Sequence, residues 1–159
     1  NNGYYELDDL EAAIEDYSHA IEINSNWEGR NSSTAYFERG LARFKAAKKL
    51  NNSDHMKEAV SDWTETIKLK LNYSIAYYNR AQAYSFLNNH EEALKDYTEA
   101  INLNNDWGAA NLLLAYLRRY RVYEVLGDNE AANQDLQRAE ELLKEHPEYE
   151  TYLSPSYMY

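Results

Sequence analysis

The segment from Ser74 to Trp107 carries a pattern of small and large apolar residues that predicts two short helices joined by a tight turn. Small residues occupy the positions where the two helices would approach closely, namely Ala76, Ala81, Ala83, Ala93 and Ala100. Larger apolar residues lie between them: Tyr77, Tyr84, Leu87, Leu94, Tyr97, Ile101 and Leu103. The polar run Asn88, Asn89, His90 separates the two helices. Neither helix can bury its apolar side alone, so the pair requires neighbouring helices.

The same pattern recurs along the sequence and predicts a row of stacked helix pairs. One position of the second helix is alanine in four successive units: Ala13, Ala59, Ala93 and Ala132. The intervals between these alanines are 46, 34 and 39 residues, so 34 is the basic period. We therefore divide the chain into units of about 1–27, 28–73, 74–107 and 108–146, followed by a tyrosine-rich tail at 147–159. The first residues match the middle of a helix, and we expect the chain to be part of a longer protein.

Three insertions account for the longer intervals between units. Five residues, Glu28 to Ser32, precede the second unit, and five others, Gly108 to Leu112, lengthen the first helix of the fourth unit at its front. Seven more, Lys48 to Asp54, lie between the two helices of the second unit. Seven residues are nearly two helical turns, so this insertion predicts longer helices, inner faces in phase and an exposed tip turning at 51–53. At the start of the sequence, Asp8 and Asp9 are predicted to form a turn that caps a helix from Leu10 to Asn24.

In the third unit, Ala93, Tyr97 and Ala100 give the second helix the spacing Ala-x3-aromatic-x2-small. This spacing resembles the second-helix signature of the tetratricopeptide repeat, a helix-turn-helix unit of about 34 residues. The first-helix signature is met more loosely by Tyr77, Arg80, Ala81 and Tyr84, and Asn105 stands where proline usually closes the unit. The resemblance implies an all-α, right-handed solenoid of antiparallel helix pairs. It also implies a concave groove, lined by the first helices, that takes an extended peptide or a partner's helix.

Composition agrees with a helical protein and argues against several classes of function. Only 5 Gly and 2 Pro occur in 159 residues, which fits helices joined by short turns. The net charge of −11 opposes binding to nucleic acid. Cysteine is absent, and the four histidines fall at separate places in the array: His19, His55, His90 and His146. We expect no catalytic residues, no cofactor, no metal site and no membrane span, and we expect a cytoplasmic location.

The register of the repeats places a set of side chains on the groove. We predict that this set binds the partner: Tyr5, Phe37, Leu41, Phe44, Tyr78, Asn79, Gln82, Phe86, Arg118 and Arg121. The alternative interpretation is that some of the aromatic residues are packing residues. A known subclass of the family grips a chaperone's terminal carboxylate with Lys, Asn and Arg, but Phe37, Leu41 and Leu114 occupy three of the five positions that this clamp needs.

Arg118 and Arg121 are three residues apart and share one helix face, which the register turns inward. We predict that they hold an acidic group beside Tyr78 and Phe86, while Arg119 points elsewhere. The alternative is that both arginines neutralise neighbouring acids such as Glu124.

These features predict a non-catalytic protein-interaction scaffold that binds a peptide or a partner helix. The alternative is a self-assembly element, which would form a homo-oligomer through the ends of the array or the tyrosine-rich tail.

Overall fold

The computed structural model describes residues 7–24, 32–103 and 107–153, and these residues form seven α-helices and a short 3-10 helix. The α-helices are α1 (Leu7–Asn24), α2 (Ser32–Leu50), α3 (Ser53–Leu69), α4 (Ser74–Phe86), α5 (His90–Leu103), α6 (Ala109–Leu126) and α7 (Asn129–Glu145). The 3-10 helix is Pro147–Leu153. The predicted all-α solenoid is confirmed.

The helices pack as a row of hairpins in sequence order. The pairs α2 and α3, α4 and α5, and α6 and α7 each form one unit, and α1 packs against α2. The first helices of neighbouring units also touch, since α4 contacts both α2 and α6. These three helices therefore form a continuous layer of their own, as the register of the repeats requires.

Close approach of the helices depends on the alanines that mark the repeat. Six of them have no exposed surface: Ala59, Ala76, Ala81, Ala83, Ala93 and Ala100. Larger side chains fill the space between the helices, with Trp63 at the centre of the second unit and Tyr97 at the centre of the third. A methyl group at each contact lets two helix backbones approach while the aromatic rings fill the remaining volume.

The seven-residue insertion forms the exposed hairpin tip that the sequence predicts. α2 ends at Leu50, α3 begins at Ser53, and Asn51 adopts a left-handed backbone with φ 50°. The Asn52 side chain accepts hydrogen bonds from the backbone N–H groups of Asp54 and His55, which caps α3. α2 and α3 contain 19 and 17 residues, against 13 and 14 in α4 and α5, so both helices are lengthened.

The front of the array differs from the expectation in one respect. Asp8 and Asp9 lie inside the first turn of α1, so the predicted turn at this place is wrong. Leu7 packs with Leu10 against α2, which extends the helix toward the N-terminus. Acidic side chains are also favourable in a first helical turn because they face the positive end of the helix dipole.

The insertion before the fourth unit lengthens its first helix, as predicted. α6 begins at Ala109 and contains 18 residues, five more than α4. In the second unit, the insertion at 28–32 lies outside the described residues except for Ser32, with which α2 begins.

Part of the predicted tail belongs to the folded array. α7 ends at Glu145, just before Pro147, as the proline predicts. The following residues form the 3-10 helix, and Tyr149 packs against Leu113, Leu117 and Ala139 of the last hairpin. The last unit is therefore partly covered by the segment that was expected to be a tail.

Candidate functional site

A partly buried arginine in the first helix of each described hairpin pairs with a buried aspartate in the second helix. The pairs and their shortest N···O distances are Arg39–Asp62 at 2.6 Å, Arg80–Asp96 at 2.6 Å and Arg119–Asp135 at 2.7 Å. Each arginine donates from two nitrogens to the carboxylate, which is the strongest geometry for this pair. Asp62 is 2% exposed, and it also accepts from Arg43 at 2.6 Å.

Each of these arginines also binds the second helix of the preceding unit. Arg39 donates to Ser18 at 3.0 Å, Arg80 to Thr64 at 3.0 Å and Arg119 to Thr98 at 2.8 Å. The guanidinium groups thus join successive units, and we call this series of contacts the arginine ladder. Arg119 points away from the predicted groove into this ladder, as expected.

The arginine ladder is electrostatically satisfied. Burial alone would lower the pKa of Arg80, but the hydrogen bonds and charge of Asp96 outweigh it and raise the pKa. The rings of Tyr77 and Tyr84 lie 5.6 and 5.9 Å from the same guanidinium carbon and add cation–π contacts. The charge of Arg80 is therefore neutralised by Asp96 within the fold and is not available to a ligand.

The ladder was not predicted from the sequence, in which Arg80 counted only as part of a loosely met first-helix signature. The signal was present, because Arg39, Arg80 and Arg119 occupy one register position. The aspartates that they bind also share one position, three residues after the marker alanine of each second helix. Opposite charges that recur together in phase are a readable sign of a pair between helices.

Three of the aromatic residues assigned to the groove are packed inside the second and third units. Phe37 is 8% exposed, and its ring lies 5.2 Å from that of Tyr73. The ring of Phe44 lies 5.7 Å from that of Trp63, and Phe86 packs against the same core cluster. The alternative interpretation, that these are packing residues, describes the three of them.

Two other predicted residues, Leu41 and Asn79, do not line the cavity at the arginine pair, and a third cannot be placed. Leu41 borders a small cavity of about 120 Å³ between α1 and α2. Asn79 accepts a hydrogen bond from Gln82 at 3.4 Å. Tyr5 lies outside the described residues.

The structure brings the remaining predicted residues together where α4, α5 and α6 meet. A cavity of about 290 Å³ opens here, and we call it the Arg118 cavity. Its lining residues are Gln82, Ser85, Asn88, His90, Tyr97, Arg118, Arg121, Val122 and Val125. In the part of the protein that the structure describes, none of these lining residues is acidic. The cavity therefore combines positive charge with apolar and amide groups.

Tyr78 stands beside Arg118, close enough for the charge of the guanidinium to act on its hydroxyl. The Tyr78 ring packs edge-on against Tyr97 at 5.9 Å and Trp107 at 5.2 Å. Burial raises the pKa of Tyr78 although Arg118 opposes this rise, so the hydroxyl stays neutral at physiological pH. The Nε atom of Arg118 is buried and has no hydrogen-bond partner among the described residues.

The two predicted arginines differ in their contacts. Arg121 donates to the exposed carboxylate of Glu124 at 3.0 Å, which matches the alternative interpretation. Arg118 lies beside Tyr78 instead, one of the two aromatic residues that the prediction placed next to it, whereas the other, Phe86, packs against a core cluster. An exposed pair such as Arg121–Glu124 contributes little stability, so Arg121 can exchange Glu124 for another carboxylate at small cost.

Metal sites and membrane spans are both absent within residues 7–24, 32–103 and 107–153. No group of three or more His, Asp or Glu side chains in these ranges is placed to hold a metal ion. None of the helices described there is both long enough and apolar enough to cross a membrane.

Two stretches of the chain match the family model of the tetratricopeptide repeat, residues 74–106 and residues 4–26. DnaJ homolog subfamily C member 7 homolog of Dictyostelium discoideum is 27% identical over 146 residues, which cover 87% of this chain and 26% of that protein. Mitochondrial import receptor subunit TOM70 of Rattus norvegicus is 30% identical over 130 residues, covering 82% of this chain and 20% of that protein. The chain thus spans roughly a quarter or less of the length of these two relatives.

A solved structure has the same fold. The crystal structure of MamA protein superposes with a TM-score of 0.70 and 23% sequence identity, over 92% of this chain and 70% of that one. At this identity the likeness concerns the fold alone.

Proposed function

Because the chain belongs to the tetratricopeptide repeat family, we propose that it is a protein-interaction scaffold whose Arg118 cavity binds an acidic group of a partner peptide. The observation that carries the proposal is the buried Nε of Arg118, which has no partner among the described residues and lies at a cavity without acidic lining. A buried donor without a hydrogen bond is costly, and a carboxylate supplied by a ligand would remove that cost.

The cavity offers a carboxylate a defined geometry. Arg118 stands at one side of the cavity next to Tyr78, which carries no negative charge at physiological pH and so leaves the guanidinium available to a ligand. Arginine can bind a carboxylate through two parallel hydrogen bonds, which fixes the direction of the ligand. Gln82 and the half-buried His90 border the same space and can contribute further polar contacts.

An apolar residue of the partner would pack beside the acidic one. Val122 and Val125 line the cavity, and Val125 is 67% exposed. An exposed apolar side chain next to an oriented charged group is a common arrangement in peptide recognition. We therefore expect the recognised segment to contain one acidic residue and one apolar residue close together.

The charge of the whole chain limits the ligand. At a net charge of −11, a strongly acidic partner would be repelled at long range. A peptide with a single carboxylate meets the local positive cavity without a large repulsion. This argument also disfavours nucleic acid as a partner.

Selection of displayed peptides tests the proposal. Random peptides are selected on the immobilised parent protein, and the dissociation constants of the enriched peptides are measured by calorimetry. We expect an acidic residue near an apolar one, and we expect Arg118→Gln to weaken binding about tenfold or more. Changing the acidic residue of the peptide to its amide should weaken binding to the parent to the same extent.

Arg138→Gln is the matched control. Arg138 forms an exposed pair with Glu141 at 2.7 Å on α7, so its loss changes the net charge as Arg118→Gln does but leaves the cavity intact. We expect Arg138→Gln to bind as the parent does. Equal affinity of the parent and Arg118→Gln for the enriched peptides would refute the proposal.

Self-assembly remains the alternative, and one observation weighs against it at the C-terminal end. Tyr149 packs against the last hairpin and partly covers the surface on which another unit would stack. Light scattering over a range of concentrations separates the two functions. A constant molar mass supports peptide binding by a monomer, and a mass that rises with concentration supports self-assembly.

A further inference from the structure

A second cavity lies at the edge of the array where α4 and α6 begin. Its volume is about 460 Å³, and we call it the edge cavity. Its lining residues are Lys70, Asn72, Tyr73, Ser74, Ile75, Trp107 and Asn111. It shares no lining residue with the Arg118 cavity, which contacts α4 toward its other end, at Gln82 and Ser85. The two cavities are therefore separate sites.

Two buried polar atoms at the edge cavity have no hydrogen-bond partner among the described residues. They are the Ser74 Oγ and the Trp107 Nε1, and their residues are 4% and 7% exposed. Buried polar groups in folded proteins are almost always paired, so two unpaired atoms from residues that line one cavity require an explanation. An indole N–H can only donate, and a serine hydroxyl can donate or accept.

Two helix N-termini border the same space, and neither has a side-chain cap. Tyr73 precedes α4 without a capping hydrogen bond from its side chain, and Gly108 precedes α6 and has no side chain to offer. The first backbone N–H groups of a helix lack partners within the helix and carry partial positive charge. Helices of 13 and 18 residues are long enough for this effect to develop.

Lys70 adds a full positive charge to the wall of the edge cavity. Its ammonium lies 3.9 Å from the centre of the Tyr73 ring, which holds it beside the start of α4. Lys70 itself is exposed, so the ammonium can move toward a bound group with little loss of packing. Asn111 donates to the backbone oxygen of Trp107 at 2.6 Å and thereby fixes that residue at the site.

We propose that the edge cavity binds a carboxylate of an incoming peptide, either its C-terminal carboxylate or the side chain of Asp or Glu. The available groups are an indole N–H, a hydroxyl, helix N-termini and one ammonium, and together they suit a single negative charge that accepts several hydrogen bonds. The apolar walls at Tyr73 and Ile75 would contact the adjoining part of the peptide. A phosphate dianion fits less well, because Lys70 is the single full positive charge among the described lining residues.

The two cavities share no lining residue, although Tyr78 contacts Trp107 at one and Arg118 at the other, and variants at Ser74 and Lys70 let the two proposals fail separately. The unpartnered atoms are closed off from solvent in the free protein, and we expect a small rotation of Ser74 and a swing of Lys70 to admit the ligand. Removal of the unpartnered Ser74 hydroxyl breaks no hydrogen bond within the described structure. Ser74→Ala should therefore fold at least as stably as the parent.

Nuclear magnetic resonance of the whole protein labelled with ¹⁵N tests the edge cavity directly. The sequence contains 3 tryptophans, so three indole N–H signals are expected, and Trp107→Phe assigns the relevant one. The probes are N-acetyl-leucine, which carries a terminal carboxylate, its amide, N-acetyl-aspartate α-amide, which carries a side-chain carboxylate, and inorganic phosphate. We expect a saturable downfield shift of the Trp107 indole signal with one or both carboxylates, and the better ligand identifies the source.

Matched variants link the shift to the site. Ser74→Ala and Lys70→Gln should each weaken carboxylate binding about tenfold. Ser61→Ala and Lys68→Gln alter exposed residues of α3 and should bind as the parent does. An equal shift with N-acetyl-leucinamide, saturation by phosphate alone, or full affinity in both Ser74→Ala and Lys70→Gln would each overturn the proposal.

Discussion

The second and third units share the same repeated alanines and arginine–aspartate pair, which we call the frame of the unit. They differ in the side chains that fill the space between the helices. Ala35, Arg39 and Ala42 of α2 correspond to Ala76, Arg80 and Ala83 of α4, and the aspartates that pair with the two arginines also correspond. Within this frame, the second unit places Gly40 opposite Trp63. The third unit has Ala81 and Tyr97 at the same two positions, and both pack in one core cluster. The larger ring is therefore matched by the smaller residue facing it.

The two units also differ in how they use the aromatic residues of the first helix. In the second unit, Phe37 packs against Tyr73 within the core, and the partly buried Phe44 packs against Trp63 at its edge. In the third unit, Tyr78 instead reaches Arg118 beside a cavity. The comparison teaches that a repeated frame leaves individual units free either to close their inner side by packing or to keep it open for a ligand.

The largest expected effect concerns the arginine ladder. Asp62 accepts from both Arg39 and Arg43, whereas Asp96 pairs with Arg80. Removing a buried carboxylate leaves its arginines without a counter-charge, so Asp96→Ala should cost about 3–5 kcal/mol of unfolding free energy. We expect Asp62→Ala to cost more, as measured by urea denaturation.

An exposed acid provides the control for the ladder. Glu141 pairs with Arg138 at the surface, and Glu141→Ala should change stability by about 0–1 kcal/mol. If Asp62→Ala costs no more than Glu141→Ala, the ladder does not hold the units together.

The next largest effect concerns the fit between the small Gly40 and the large Trp63, which the third unit replaces by Ala81 and Tyr97. A Cβ at position 40 would lie 2.8 Å from the Nε1 of the buried Trp63, so Gly40→Ala should cost about 1–3 kcal/mol despite the better helix propensity of alanine. The double variant Gly40→Ala/Trp63→Tyr imports the pair of the third unit. We expect it to be more stable than the sum of the single changes predicts, in a double-mutant cycle measured by denaturation.

Strict additivity in this cycle would show that the two positions do not compensate each other. Ala42→Gly is the matched control, because it changes helix propensity at another buried position of α2. The coupling energy between Ala42→Gly and Trp63→Tyr should be smaller than the coupling energy between Gly40→Ala and Trp63→Tyr.

Alkaline pH should affect the stability of the third unit through Tyr97. Trp63 holds the same position in the second unit and does not titrate. Burial raises the pKa of Tyr97 above its ordinary value, so the folded state favours the neutral phenol. This contribution is complete below the unfolded pKa near 10 and is lost as pH rises through the folded pKa. The unfolding free energy of the parent should fall relative to Tyr97→Phe by up to about 1.4 kcal/mol per pH unit above pH 10. Parallel curves for the two proteins would contradict the expected burial of the phenol.

The smallest effect is expected at the hairpin tip. Replacing residues 47–55 by Asn-Asn shortens the second unit by seven residues and gives it the short turn of the third. Helices α2 and α3 lose about two turns in phase, so the array should keep its helical circular dichroism and lose about 1 kcal/mol of stability. Complete loss of helical signal would show that the array depends on this segment, in which Lys49, Asn51 and Asp54 are exposed and Ala47 is buried at the base.

The frame could be predicted from the sequence because the frame repeats. In-phase alanines located the helices, and the length of the insertion located the tip at Asn51. Whether an aromatic residue on the inner side of a unit packs or binds a ligand was less predictable. Phe37 and Phe86 hold register positions that can serve either purpose, depending on the neighbouring side chains. The edge cavity depends on atoms left without partners, such as the Ser74 Oγ, and no spacing in the sequence marks them.

Hydrogen exchange with a peptide selected on the parent protein tests the central claim most directly, because it compares the inner sides of the two units in one experiment. We expect slower amide exchange on binding in the second half of α4 and around Arg118 and Val122 of α6, with α2 and the hairpin tip unchanged. Arg118→Gln should abolish this protection at the same peptide concentration, and Arg138→Gln should keep it. Protection confined to α2 and α3 would contradict the account.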